Sequence, residues 1–142
     1  MESMKALESS EMWLRTAEAA FEKKLYPSSL YALEMATEIA LKAVLVTMRV
    51  DVPKTHNMTQ MLKDIFDEKR SLLPKEFLEN EGFAIEVLSD LLLLRNPAGY
   101  AYETNISTSE FESKAEEYIK KTDRVLKLAK TAIEYISKKQ KK

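Results

Sequence analysis

The sequence predicts an all-α protein, folded as an up-and-down four-helix bundle with one additional short helix. Apolar residues recur three or four positions apart through four long segments, the connections between these segments are short, and no stretch has the alternating pattern of a strand. Two Gly in 142 residues are also too few for the turns of a β-sandwich or barrel. We therefore predict one helical domain over residues 1–142.

The first two predicted helices span residues 4–24 and 28–48. Pro27 separates them, because it closes the first segment and fits the first turn of the second. The second helix is apolar around most of its circumference, which is typical of the central helix of a bundle. We expect it to be the most buried helix. Its expected core residues are Met35, Ile39 and Ala43.

A short helix is predicted near residues 57–66, where Asn57 followed by Gln60 is typical of a helix cap. Residues 67–82 are rich in charge and contain one Pro and one Gly. We therefore expect residues 67–82 to form a loop with one or two helical turns.

The third long helix is predicted over residues 83–95, with Pro97 and Gly99 ending it. The last helix is predicted from about residue 108 to 138. Its start is indicated by Ser107 with a Glu three residues later, which is the pattern of a capping box.

The composition excludes several classes of site. The absence of Cys excludes disulfides, thiol nucleophiles and Cys-ligated metals, and a single His excludes multi-His metal sites. The balance of 22 basic and 23 acidic residues is not that of a non-specific nucleic-acid binder. No apolar run is long enough for a membrane span or a signal peptide, so we expect a cytoplasmic protein, with no cofactor and no metal. The basic tail at residues 138–142 is expected to be frayed.

The strongest candidate site is the segment of residues 95–102. An Arg at a helix end, Arg95, followed after a turn by Tyr100 and Tyr102, would bring together a cation and two phenols. An Arg can hold a phosphate through two parallel hydrogen bonds, and a Tyr ring can stack on a base. The same residues also fit a structural role, in which Arg95 binds the last carbonyls of its helix and the rings cover the bundle end.

Three stretches, taken in order along nearly the whole chain, resemble the HEPN family of small helical domains, which occur in prokaryotic toxin–antitoxin modules and fused to nucleotidyltransferases. Residues 31–45, YALEMATEIALKAVL, are similar to the second helix of the family. Residues 55–58, THNM, are similar to its Thr-His-Asn/Asp-Leu turn. Residues 95–97, RNP, lie where the family has its Arg-containing motif.

Active HEPN ribonucleases carry an Arg, then four to six residues, then a His. One branch has Arg-Asn, three residues, His, one residue and Tyr, and this pattern is matched here by Arg95, Asn96 and Tyr102. Tyr100 stands at the His position, and no permitted spacing yields a His. The resemblance therefore implies a ligand-binding set of Arg95, Asn96, Tyr100 and Tyr102. No catalytic residue is assigned; the candidates are Arg95, Tyr100 and Tyr102.

The resemblance implies a degenerate, non-catalytic module that binds a nucleotide, an RNA or a partner nucleotidyltransferase. One alternative is an active, metal-independent endoribonuclease toxin of a toxin–antitoxin pair, with Tyr100 in place of His. A second alternative is a purely structural helical interaction module. Family members commonly pair, so a homodimer is expected, and residues 91–94, four consecutive Leu, offer more apolar surface than one bundle face needs.

Two other polar groups need an interpretation. His56 is the only imidazole, and it could be either an acid–base group in the cleft or a helix-entry residue that hydrogen-bonds to a backbone or to a neighbouring helix. The resemblance favours the second interpretation, because it places His56 in a structural turn. Glu34, Glu38 and Lys42 are spaced four apart on the second helix, but the Glu-x-x-His pairs of di-metal bundles are absent. We expect Glu38 to pair with Lys42 or to reach towards Arg95.

Overall fold

The computed structural model describes residues 2–52, 57–99 and 107–140, with side chains for all of these except 96–99. The described chain consists of five α-helices and one short 3-10 turn at Arg70–Leu72, with no strand. The predicted all-α fold is confirmed. The helices are α1 (Ser3–Glu22), α2 (Tyr26–Thr47), α3 (Met58–Glu68), α4 (Lys75–Gly99) and α5 (Thr108–Gln140).

Contacts between side chains show that α1 and α2 are antiparallel. Trp13 packs on Tyr31 near the middle of the pair, with ring centroids 6.3 Å apart. Phe21 packs on Tyr26 near the connection, with centroids 5.4 Å apart. Residue numbers rise along α1 as they fall along α2, which is the arrangement of a helical hairpin with a short connection.

α5 runs parallel to α2 and antiparallel to α4. The hydroxyls of Thr37 and Thr122 are 3.2 Å apart, and the side chain of Gln140 donates to the carbonyl of Thr47 further along both helices. Two hydrogen bonds join α4 to α5, Asn80 with Arg124 and Asp90 with Tyr118. The residue number increases along α4 from the first pair to the second while it decreases along α5, so these two helices are antiparallel. The four long helices therefore alternate in direction, as predicted for an up-and-down bundle.

The core is built around α2, which contacts α1, α4 and α5. Its buried residues outnumber those of the other described helices, as expected for its apolar sequence. Ala43 is fully buried, but Met35 and Ile39 are only half-buried, so the prediction that both lie in the core was wrong. They lie on the one stripe of α2 that no other described helix covers completely. Apolar residues on most sides of a helix indicate that it is central, but they do not show which of its faces the other helices leave uncovered.

The prediction of a loop over residues 67–82 was wrong in its second half, because α4 begins at Lys75. The carbonyl of Pro74 accepts a hydrogen bond from the backbone N–H of Leu78, so the proline opens the helix. Phe77 is buried against Phe66 of α3, with ring centroids 5.1 Å apart. This aromatic contact outweighs the roughly 1 kcal/mol that a mid-helix glycine costs at Gly82.

The prediction that Pro97 and Gly99 end the helix at residue 95 was also wrong, since α4 extends to Gly99 and Pro97 lies in its last turn. A proline lacks the N–H of the hydrogen-bond ladder, and its ring crowds the carbonyl four residues earlier. The end of α4 two residues after Pro97 is consistent with this effect. We expected fraying over residues 138–142. Instead α5 continues through Gln140, and residues 141 and 142 lie outside the described chain.

The predicted caps are confirmed at both sites. The side chain of Asn57 accepts a hydrogen bond from the backbone N–H of Gln60 at 3.2 Å, which caps α3. The hydroxyl of Ser107 accepts from the backbone N–H of Glu110 at 3.2 Å, which caps α5. No described helix combines the length and the hydrophobicity needed to cross a membrane.

Candidate functional site

Arg95 lies at the end of the core-facing stripe of α4. The fully buried Leu88 and Leu91 precede it by seven and four residues, so all three project from the same side of the helix. Arg95 therefore extends towards α2 at the margin of the core, where 42% of its side chain remains exposed. At this position a cation can contact buried groups and still be accessible to a ligand.

The guanidinium of Arg95 forms an ion pair with a buried carboxylate. Its Nη1 donates to Oε1 of Glu34 at 3.1 Å, and the Glu34 side chain is 0% exposed. Burial and the charge of Glu38 raise the pKa of Glu34 to about 7, against the attraction of Arg95, which lowers it. The second oxygen of Glu34, Oε2, has no hydrogen-bond partner among the described residues.

Two aromatic rings extend the site from α4 across α2 to α1. The guanidinium carbon of Arg95 lies over the ring of Tyr31, 5.1 Å from its centroid, which is a cation–π contact. Tyr31 in turn meets Trp13 nearly edge to face, at 70° between the ring planes. Arg95 is thus fixed in direction by one carboxylate and one ring.

Sequence reasoning identified Arg95 but missed its partners. We expected Glu38 to pair with Lys42 or to reach Arg95, and the structure shows the pair with Lys42, at 3.0 Å. The contact with Arg95 belongs to Glu34, one turn earlier. One feature of the sequence could have indicated Glu34: it is a single carboxylate with apolar residues on both sides. The sequence grouped Glu34 with the polar stripe of α2 and Tyr31 with its apolar residues, so neither was predicted to contact Arg95.

Several predicted site residues lie outside the described chain. These are Tyr100, Tyr102 and His56, and the side chain of Asn96 is likewise not described. The cleft that we expected between Arg95 and the two Tyr rings therefore stays a prediction. In the part of the chain that the structure describes, no three His, Asp or Glu side chains are grouped to hold a metal ion.

A separate groove of about 520 Å³ lies between α1 and α5. Its walls carry charges of both signs over a floor of Leu14 and Leu126. Arg95 does not line this groove, so it is not the expected cleft.

Comparison with known proteins agrees with the all-α fold. The family model described as HEPN domain matches residues 3–132, which include α1 to α4 and most of α5. No curated protein matches the chain. With a match over nearly its whole length, the chain belongs to the HEPN family.

Proposed function

We propose that this chain is a cytoplasmic HEPN module that does not cleave RNA and that binds the phosphate of a nucleotide or RNA through Arg95. Asn96, Tyr100 and Tyr102 would complete the site, as the family motif implies. The observation that carries the proposal is the half-exposed guanidinium of Arg95, held by the buried Glu34.

The geometry of Arg95 suits an anion. A guanidinium has five N–H donors in a planar fork, and the described contact with Glu34 uses one of them. The ring of Tyr31 restrains the guanidinium further. A cation that is already oriented loses little side-chain entropy when it binds, so more of the interaction energy appears as affinity.

The residue at the His position of the family motif supports the non-catalytic form of the proposal. Tyr100 occupies the His position of the family motif, and a phenol with an unperturbed pKa near 10 is a poor base at neutral pH. Glu34 has a pKa of about 7, but its side chain is fully buried behind Arg95. A carboxylate in that position holds Arg95 and does not reach a ribose hydroxyl.

Arg95→Ala is expected to weaken nucleotide binding by about 10- to 100-fold, which is the loss typical of a hydrogen bond to a charged group. Isothermal titration of the full chain with 5′-AMP measures this effect. Arg124→Ala is the matched control, because Arg124 also lies over an aromatic ring, Phe83 at 4.2 Å, and also has a side-chain partner, Asn80. Equal affinities of the wild type and Arg95→Ala would contradict the proposal.

Tyr100→His is expected to raise RNA cleavage above that of the wild type, because general acid–base help contributes typically about 10²–10⁴ in rate. Single-turnover cleavage of a labelled RNA, with metal chelated, measures this. If the wild type already cleaves RNA and Arg95→Ala abolishes the cleavage, the chain is an active ribonuclease toxin. If neither RNA nor nucleotide is bound, the structural interaction module is the better description.

The expected partners are a second copy of the chain and a nucleotidyltransferase, in the context of a toxin–antitoxin pair. The family supplies the main support for both. Among the four consecutive Leu of α4, Leu91 is fully buried whereas Leu93 is 73% exposed. A two-fold contact would cover this surplus apolar surface.

A further inference from the structure

We propose that Tyr31, supported by Trp13, is a stacking platform for a nucleobase beside the phosphate-binding Arg95. This inference rests on the proposed function, because it assumes an anion at Arg95. It adds the residue that would hold the base of the proposed ligand, whether this is a free nucleotide or one residue of a single-stranded RNA. A phosphate alone would leave this platform unused.

The placement of Tyr31 carries the inference. Its neighbours Leu30 and Ala32 are buried, yet the Tyr31 side of α2 faces outward and the residue is 42% exposed. Its ring centre is only 5.1 Å from the guanidinium carbon of Arg95. A single nucleotide that gives its phosphate to Arg95 can therefore also reach the exposed part of the ring.

Contacts with Trp13 and Arg95 restrain the ring of Tyr31. Trp13 of α1 is half-buried against the core and packs on Tyr31 with centroids 6.3 Å apart, while Arg95 restrains the ring from α4. Two helices thus hold an aromatic residue of a third. A base that stacks on such a ring orders little additional protein, which favours binding. Stacking accepts any base, because every base has a π-face.

A purely structural role for Tyr31 makes different predictions. In that role the ring only shields the ion pair of Arg95 and Glu34, so its removal would affect every anion equally. In the platform role, its removal weakens ligands that carry a base more than ligands that carry only the phosphate and the sugar. A comparison of 5′-AMP with ribose 5-phosphate separates the two roles, because these ligands share the phosphate and the sugar and differ in the base.

The experiment uses the full chain and its single tryptophan, Trp13, whose fluorescence reports on the ring that it touches. We expect 5′-AMP to change the Trp13 emission and to bind more tightly than ribose 5-phosphate. Tyr31→Leu should weaken both ligands through the lost restraint on Arg95, and should weaken 5′-AMP by roughly 5- to 100-fold more than ribose 5-phosphate, the loss typical of one stacked base. Tyr31→Phe should bind 5′-AMP like the wild type.

The matched control is Tyr135→Leu, since Tyr135 is a half-buried ring beneath Lys139 on α5. It should leave both affinities unchanged.

A thermal melt of each variant verifies folding. A titration with oligoadenylate distinguishes the two sources of the ligand: tighter binding than that of 5′-AMP supports RNA, and equal binding supports a free nucleotide. Equal affinities of the wild type for 5′-AMP and ribose 5-phosphate would overturn the platform but leave the phosphate site at Arg95 intact. No binding of either ligand would overturn the proposed function and the platform together.

Discussion

The free energy of unfolding of the wild-type protein should fall as the pH rises from about 5 to 8, and Glu34→Gln should remove most of this dependence. The cause is the carboxyl of Glu34, which is fully buried beside Arg95. Burial and the nearby charge of Glu38 raise its pKa from 4.5 to about 7. Gln has a similar shape and no titrating group, so it preserves the packing and removes the proton.

The sign follows from proton binding in the two states. Between the two pKa values, Glu34 keeps its proton in the folded chain and has lost it in the unfolded chain. The unfolded state therefore binds fewer protons, and stability decreases as the pH rises through this window. The difference between 4.5 and about 7 corresponds to a loss of up to about 3 kcal/mol above pH 8.

Chemical denaturation at a series of pH values measures this dependence. Glu79→Gln is the control, because Glu79 pairs with Lys75 on the exposed side of α4, and it should keep the slope of the wild type. A smaller slope of the same sign should remain in Glu34→Gln, since burial also raises the pKa of Glu81. An unchanged slope in Glu34→Gln would contradict the assignment of the titration to this carboxyl.

Leu41→Ala should lower the free energy of unfolding by about 2–5 kcal/mol, the usual cost of emptying a fully buried leucine site. Ile39→Ala should cost clearly less, because Ile39 is only half-buried on the open stripe of α2. Leu93→Ala, at a residue that is 73% exposed, should change stability by no more than about 0.5 kcal/mol. Urea denaturation at low protein concentration provides all three values.

The order of these three effects is the essential result. If Ile39→Ala cost as much as Leu41→Ala, Ile39 would have to be covered in solution by something other than the described helices. Repetition at a series of protein concentrations would then identify the cover, because the stability contributed by a second copy increases with concentration. Leu93 would show the same dependence if it lies in that contact.

The sequence by itself determined that the fold is all-α with four long helices and one short helix, where α3 and α5 begin, and which helix is central. These features depend on residues within one or two turns of each other: the caps at Asn57 and Ser107, and the apolar spacing of each helix. Local chemistry of this kind can be read along the chain. Its family resemblance also indicated Arg95 as a candidate site residue. The Pro, the Gly and the charged residues of 67–82 predicted a loop, and that prediction was wrong at the start of α4, because the packing of the buried Phe77 against Phe66 favours the helix.

Only the tertiary structure decided what surrounds Arg95. Its partner Glu34 lies 61 positions earlier, and the selection of Glu34 rather than Glu38 depends on how α4 is rotated and shifted against α2. A shift of one helical turn, about 5.4 Å, would place a different residue opposite the guanidinium. The exposure of Tyr31, the half-burial of Ile39 and the raised pKa of Glu34 depend on the same packing. Periodicity shows which side chains share a face of one helix, but the packing of several helices determines what that face meets.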